Sequence, residues 1–545
     1  MILSDLMKSA GMPGHVLEKD PDVASIHHRS GDVTPGGLFV AVPGFVTDGH
    51  DYIKDALQRG ASVVAVEKSV WEPKKIPRTD GVLFLETDDS RNTLARLAAA
   101  FYGHPSKKLT VIGITGTNGK TTTSFIMESV LREAGLNVGV IGTINARHMG
   151  RILESATTTP ESADLQRIMA DMVHDGVTHL ILEVSSHSIA LQRIAGCHFD
   201  VGVFTNLTQD HLDYHKTMDD YRATKKRFFT RFMEQSEKKR PVAVINRERR
   251  TGRDFFDELT RDKKSKIRCL SVGFTDENMM WPIHFQIDLS GVSGRIEVSS
   301  DGFFSGEEPR RDGVKPENPN KPGVHFESRL PGRHNLENIL CAAGAAMALG
   351  LSMETIKKGI ERCESAPGRL ERVENRRGLF IYVDYAHTPD ALENVCRAVK
   401  QLGKGRLICL FGCGGDRDAK KRPMMGRIAG KWSDLAIITS DNPRNEDPEQ
   451  IIKEILAGVK LSLPHAYSRP PSRDDFREKG HVAELDRETA IRAAIRAARP
   501  GDQILIAGKG HENYQLIKGE KIPFDDRIKV VEALEEADVD DPTHA

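Results

Sequence analysis

Short apolar runs that end in glycine or a polar residue recur along this chain, separated by segments of helical period. They restrict its fold more than any other feature. LTVIGIT (109–115), NVGVIGTI (137–144), HLILEVSS (179–186), DVGVFTNL (200–207) and PVAVIN (241–246) form one such series. LFIYVDYA (379–386), RLICLFGC (406–413), LAIITSD (435–441) and QILIAGKG (503–510) form a second. Strands that are apolar throughout are covered on both faces, so this β–α alternation predicts parallel sheets with crossover helices. A smaller α/β unit comes first: GGLFVAV (36–42) and ASVVAVE (61–67) flank a helix over 52–59, and a second helix spans 91–101. Residues 102–108 read as a linker.

At about 150 residues per domain, 545 residues predict three or four domains. From about 267 the pattern changes. Alternation in HFQIDLS (284–290) and GRIEVSS (294–300) predicts antiparallel strands, and 305–325, rich in Pro, Gly and charge, reads as a surface excursion or disordered loop. Helices over 335–349 and 353–363 lead to a boundary near 366–368, and the acidic tail after Leu534 is expected to fray. The expected architecture is α/β in three domains. A small N-terminal α/β domain (1–104) precedes a central P-loop ATPase-like parallel-sheet domain with antiparallel additions (105–364) and a C-terminal Rossmann-like α/β domain (365–545).

Several classes are excluded. Lys plus Arg (77) against Asp plus Glu (78) leaves a net charge of −1, so no electrostatic argument favours nucleic acid. A hydrophobic fraction of 39% with 47 glycines supports real cores and excludes wholesale disorder. The longest weakly polar run, 339–351, falls short of the roughly 20 residues of a membrane span. The N-terminus lacks a signal-peptide core. Seven scattered cysteines argue against a disulfide framework and for a reducing cytoplasm, and the one close pair, Cys409 and Cys413, has no second pair at zinc-like spacing.

The sharpest local signal is Gly113-Ile-Thr-Gly116-Thr117-Asn118-Gly119-Lys120-Thr121-Thr122, with strand, glycine loop and helix in the order a phosphate loop needs. Such glycines let backbone N–H groups curl around phosphate oxygens, and the helix N-terminus adds its positive end. Lys120 is placed to reach the β/γ-phosphates and the Thr121 hydroxyl to hold Mg²⁺. The general pattern has glycine six residues before the lysine; this chain has Ile114 there and glycine at 116. Taken alone, Glu183 is a strand-end carboxylate, His211 a loop histidine, Lys225 a solvated helix lysine, Asn335 and Asn338 helix-start residues, and Asp441-Asn442-Pro443-Arg444 a turn.

The variant TGTNGKTT is more specific than the general loop. It resembles that of the Mur ligase superfamily, which also includes folylpolyglutamate synthases. The resemblance runs over nearly all of the chain and is weakest at 300–325 and at the C-terminal tail. It implies an ATP-dependent ligase of peptidoglycan precursor synthesis. The reaction implied joins meso-2,6-diaminopimelate to the D-glutamate γ-carboxylate of UDP-MurNAc-L-Ala-D-Glu through an acyl phosphate, by a monomer needing ATP and Mg²⁺. Catalytic and metal roles fall on Lys120, Thr121, Glu183 and His211. Lys225, matched by its spacing from Tyr221, would be a carbamate formed with CO₂, which turns a cation into an anionic oxygen ligand. Gly116 to Thr122, Asn335, Asn338, Asp384 and His387 would bind ATP. Ser30, Phe45, Val46 and Thr47 would meet uridine, although Arg29-Ser30-Gly31 stands where the family commonly has Asp-Ser-Arg. Thr158, Thr159, Ser185 and Arg193 would bind the muropeptide.

The segment Asp441 to Arg444 separates diaminopimelate-adding from lysine-adding members of the family. The distal carboxylate needs a cation, which Arg444 supplies with fork geometry. Arg417 is a second such arginine, and Gly508 and Glu512 would hold the other end of the amino acid. The rival readings are a lysine-adding relative, a folylpolyglutamate-type ligase, and a P-loop regulator without ligase activity.

Overall fold

The computed structural model describes the chain apart from residues 13–18, 45–46, 72–78, 80, 155–156, 289, 300–322 and 541–545. Most of the expected 305–325 excursion therefore lies outside the described residues. Three sheets carry the architecture. The first has four parallel strands in the order Ile26–His27, Leu38–Val40, Val63–Glu67 and Leu83–Thr87. The helix Ser90–Phe101 covers it, capped by the Asp89 side chain on Asn92 N.

The central sheet has eleven strands. Its parallel heart runs, in spatial order, Arg268–Val272, Val242–Asn246, Val201–Phe204, Thr110–Thr115, His179–Glu183 and Val138–Ile141. Met280–Asp288 joins one edge by a parallel bridge, Val272 to Met280, and is continued antiparallel by Gly291–Val298 and Gly323–Ser328; antiparallel Asn145–His148 and Arg151–Glu154 extend the other edge. The antiparallel strands expected over 284–290 and 294–300 are present, whereas the residues just after 267 still belong to the parallel heart. Arg268–Val272 pairs parallel to Val242–Asn246, because the helices Arg250–Arg261 and Arg333–Ala348 both pack against it, as a parallel sheet requires. On one face, Lys120–Glu133, Arg333–Ala348 and Met353–Arg362 close a single apolar core.

The third sheet orders Glu371–Val373, Phe380–Asp384, Gln503–Ala507, Leu407–Phe411, Leu435–Ile438 and Gly480–Ala483, with the first strand antiparallel. Apolar cores on both faces make it doubly wound.

Two further expectations are corrected. The 102–108 linker contains the short helix Pro105–Lys108, started by proline at its first position and anchored by buried Pro105 and Ser106. The acidic tail does not fray at Leu534. The helix Asp526–Asp540 continues because Val530, Ala533, Leu534 and Ala537 bury one stripe against the core. Among the described residues no helix is long and apolar enough to cross a membrane.

Candidate functional site

The strand Thr110–Thr115 delivers the glycine loop, and two glycines in it are obligatory. Gly116 (φ +152°) and Gly119 (φ +87°) have positive φ, and a Cβ on either would strike Thr205 Oγ1 or the Asn338 side chain. Gly119 caps the helix Lys120–Glu133. Lys120 Nζ donates to Gly116 O (3.0 Å) and Thr117 O (2.9 Å). Lys225 Nζ donates to the same Gly116 O (2.8 Å) and lies 4.8 Å from the Tyr221 ring centroid. Lys225 is 1% exposed, so the solvated lysine of the sequence pattern is a core residue. Burial pushes its ammonium well below the ordinary lysine range, and the charge of Lys120 pushes further. The helix that carries it, Met218–Arg227, runs on into a π-helical turn, Phe228–Met233, a feature frequent at functional sites.

Glu183 closes its strand 1% exposed. Its carboxylate accepts from Thr121 Oγ1 (3.0 Å), Thr143 Oγ1 (2.8 Å) and Thr143 N (3.2 Å). The muropeptide candidates converge here. Thr158 Oγ1 meets Thr143 Oγ1 (3.1 Å), Thr159 Oγ1 donates to Glu183 O (2.7 Å), and Ser185 N donates to Thr159 Oγ1 (3.2 Å). Arg193 donates to Thr159 O (3.0 Å) and Glu161 Oε1 (2.8 Å). Arg91, from the first domain's helix, reaches Glu161 (3.7 Å) and Pro43 O (2.6 Å), tying the first sheet to this cluster.

His211 adopts φ +54° before the short helix Leu212–His215. Its ring stands edge-on to His187 (4.9 Å) and 3.4 Å from Asp210. Burial, with the charges of Lys120 and Lys225 and the neighbouring His187, pushes it down to about 4. The structure thus brings Thr121 and Glu183 into contact, but holds His211 against Asp210 and Lys225 against Gly116. Among the described residues no group of three or more His, Cys, Asp or Glu forms a metal cage. What is present is one hydroxyl and one carboxylate. That fits Mg²⁺, which keeps several waters and is held by few protein oxygens plus substrate phosphates.

A cavity of about 630 Å³ lies between the central and third sheets. Asn118, Gly119, Thr122, Asn335 and Asn338 line one wall, Asp384 and Asp390 the other. Across the seam Asn118 Nδ2 donates to Asp390 Oδ2 (3.0 Å), Arg249 lies 3.8 Å from Asp390, and Arg369 donates to Thr121 Oγ1 (3.4 Å). Asn338 donates to Asn335 Oδ1 (3.1 Å), and Asn335 to Pro331 O (2.8 Å). Asp384 is pushed up to about 6 by burial, against the pull of Arg369, while its oxygens accept from Leu370 N (2.6 Å) and Ala386 N (2.7 Å). His387 bonds Tyr385 O through Nδ1 (2.8 Å), and burial keeps it below the ordinary histidine range. Arg249, Arg369 and Asp390 escaped the sequence reading, because no local pattern marks them.

In the first domain, Ser30 is buried at a tight turn over 30–32, and its hydroxyl holds the Asp55 carboxyl below the usual range. Thr47 precedes the turn Gly49–Tyr52, and Phe45 and Val46 lie outside the described residues.

At the end of the third sheet, Arg444 (φ +54°) donates through its guanidinium to Gly415 O (2.7 Å). Its backbone is clamped by the hairpin Tyr514–Pro523: Arg444 N donates to Leu516 O (2.9 Å) and Lys518 N to Arg444 O (2.7 Å). Pro443 is buried before it, and Arg417 is exposed on the facing loop. Asn442 Nδ2 donates to Glu512 Oε2 (2.7 Å). Glu512 is pushed up by burial and by Asp441. Gly508 (φ +114°) leaves room for Asp441 Oδ2, 3.0 Å from where its Cβ would stand. Two residues missed from sequence complete this end. Lys509 is fully buried among Asp441, Asn442 and Glu512. Arg422, 1% exposed, braces the Arg417 loop through Gly414 O (3.3 Å) and Glu446 (2.8 Å).

Three family models match the chain: "Mur ligase family, catalytic domain" over 22–102, "Mur ligase middle domain" over 114–346, and "Mur ligase, glutamate ligase domain" over 368–510. A UDP-N-acetylmuramoyl-L-alanyl-D-glutamate–2,6-diaminopimelate ligase from Geobacter metallireducens is 45% identical over 516 residues, 94% of each chain. One of the same name from Geobacillus kaustophilus is 39% identical over 95% of this chain and 96% of its own. A solved structure of a ligase of that name aligns with TM-score 0.66 and 27% identity over 98% of this chain and 99% of its own. A MurF ligase from Thermotoga maritima in complex with ADP shares the fold at TM-score 0.58 and 19% identity, over 94% and 97% of the two chains.

Proposed function

The chain belongs to the Mur ligase family, and from that premise we propose that it joins meso-2,6-diaminopimelate to UDP-N-acetylmuramoyl-L-alanyl-D-glutamate with ATP, releasing ADP and phosphate. The observation that carries the choice of amino acid is the Asp441–Arg444 turn. It carries the Arg444 guanidinium, bonded to Gly415 O, two residues from Asn442, whose amide donates to Glu512. That arrangement is complementary to a zwitterion with an additional carboxylate. The domain division is 1–104 for the uridine end, 105–364 for ATP and muropeptide, and 365–545 for the amino acid. The enzyme is read as a cytoplasmic monomer.

ATP enters the cavity between the second and third domains. The Asn335–Asn338 pair and Gly119 support the base side, and Asp384 and His387 the ribose and phosphate side. Thr158, Thr159, Ser185 and Arg193 orient the D-glutamate so that its γ-carboxylate oxygen meets the γ-phosphorus. That P–O bond forms as the β,γ-bridging P–O bond breaks and ADP leaves. Lys120 neutralises the transferring phosphoryl group. The amine of diaminopimelate, held by Arg444, Arg417, Gly508, Asn442 and Glu512, attacks the acyl carbon. The C–N bond forms as the acyl C–O bond breaks, and phosphate leaves with that oxygen and takes up the proton the amine gives up. The seam made by Asn118, Asp390 and Arg369 excludes water that would hydrolyse the acyl phosphate.

Thr121, Glu183 and His211 would hold Mg²⁺, which when bound neutralises charge on the phosphate oxygens. Lys225 would join them as a carbamate. The support is that its amine is buried beside Lys120 and biased to the neutral form that CO₂ requires.

The test is phosphate release from ATP in purified protein. It should require both the muropeptide and meso-diaminopimelate. Equal turnover with L-lysine, or turnover without any amino acid, would sink the reading.

A further inference from the structure

Lys509 is a lysine without solvent. It is 0% exposed, at the end of the strand Gln503–Ala507, in a domain where the other lysines are surface residues or line a rim. Its Nζ donates to Asn442 Oδ1 (3.2 Å) and Glu512 Oε2 (3.3 Å) and lies 3.7 Å from Asp441 Oδ1. Asp441 Oδ1 is buried and has no hydrogen-bond partner of its own, so this ammonium is its nearest counter-charge. Asn442 Oδ1 also accepts from Leu516 N (2.9 Å), which fixes the amide so that its NH₂ faces Glu512.

Three side chains assigned to the amino acid therefore meet at one buried cation. We propose that Lys509 is a positioning residue of the amino-acid site, whose ammonium holds Asp441, Asn442 and Glu512 in the arrangement that receives the ammonium group of the incoming amino acid. The inference rests on the ligase reading above and deepens it.

Charge arithmetic supports the assignment. Asp441 is buried and Glu512 half-buried, both within reach of the same ammonium, and like charges so placed favour uptake of a proton by one of them. A protonated carboxyl is a poor partner for a substrate ammonium. The groups facing Glu512 are Asp441, Lys509 and Arg487, with the phenols of Tyr385 and Tyr514. Arg487 is already committed to Asp526 at 2.8 Å, both of them fully buried. That leaves Lys509 as the one cation of this group to offset the two acids. Burial and Asp441 already raise Glu512, so removal of the ammonium would raise it further.

The test is steady-state kinetics of Lys509→Met, nearly matched in length and without charge. At pH 7 the diaminopimelate KM should rise by about tenfold or more, while the ATP KM stays within about twofold. The rise should shrink between pH 7 and pH 9, as Glu512 regains its charge. An unchanged diaminopimelate KM, or a rise that is the same at every pH, overturns the proposal. Should the methionine variant fail to bind ADP as a folded protein does, Lys509→Gln keeps a hydrogen-bond donor without the charge. It should show the same pH-dependent rise, and normal kinetics from it would equally overturn the proposal. Wild-type enzyme run in parallel separates the two claims. Absence of diaminopimelate-dependent turnover there refutes the ligase reading, whereas normal wild-type turnover with an unaffected Lys509→Met refutes the role of Lys509 alone.

Discussion

The phosphate loop and the amino-acid pocket both sit where strands end, yet they treat buried charge in opposite ways. Lys120 turns to the main-chain carbonyls Gly116 O and Thr117 O. Lys509 turns to side chains, two of them carboxylates. Carbonyl dipoles answer a buried ammonium only in part, whereas carboxylates answer it nearly in full. The first site is therefore left electropositive, ready for a polyanion. The second sets one ammonium against two carboxylates and so keeps one negative charge in reserve for the ammonium of its ligand.

The largest test of this contrast is Lys120→Met. It should lower kcat for ATP-dependent phosphate release by about 10²- to 10³-fold while leaving the diaminopimelate KM nearly unchanged. A matching loss at the amino-acid site would break the distinction. Arg444→Ala comes next: the diaminopimelate KM should rise by about 10- to 100-fold with little change for ATP. Equal damage to both substrates would remove its assigned role.

A third effect is thermodynamic. His198, His211, His215 and His334, all in the central domain, are each pushed down to about 4 by burial. In the unfolded chain they titrate near 6.5, so between those values the unfolded state binds more protons. The stability they contribute is complete above pH 6.5 and is lost as pH falls toward 4. The melting temperature of the ligand-free protein should fall by about 5 °C or more between pH 6.5 and 4.5. The third domain has one histidine pushed as far, His511, down to about 3, so hydrogen exchange should place the larger share of the loss in the central domain; equal loss in the third would blunt the comparison. The smallest effect belongs to the seam. Asp390→Ala removes the partner of Asn118 and should raise the ATP KM by about two- to fivefold, leaving the amino-acid KM alone.

Much of this was legible in the sequence because parallel strands buried on both faces are nearly continuous apolar runs, and ligand loops follow their ends. The phosphate loop was read that way, whereas Glu183 and the Asp441–Arg444 turn took their roles from the family resemblance. Lys509 and Lys225 resisted reading for one reason: an isolated lysine codes for solvent, and only the fold reveals that these two have none. Lys225 was recovered through family resemblance, and Lys509 lacked even that. Asp390 and Arg369 act across a seam between distant segments, where no spacing rule applies. The C-terminal helix was misread differently. Its apolar stripe, Val530, Ala533, Leu534 and Ala537, is visible at helical spacing, but the acidic residues around it outweighed the periodicity.

The cavity proposed for the nucleotide has one wall on each of two sheets and so exists only while those sheets stand together. A chain that is closed for a fraction f of the time shows an apparent dissociation constant raised by 1/f. Measured nucleotide affinity is then also a measure of shape. Substitutions anywhere along the seam would register as weaker ATP binding without touching ATP, and a compound that wedges the sheets apart would compete with the nucleotide while resembling it in nothing.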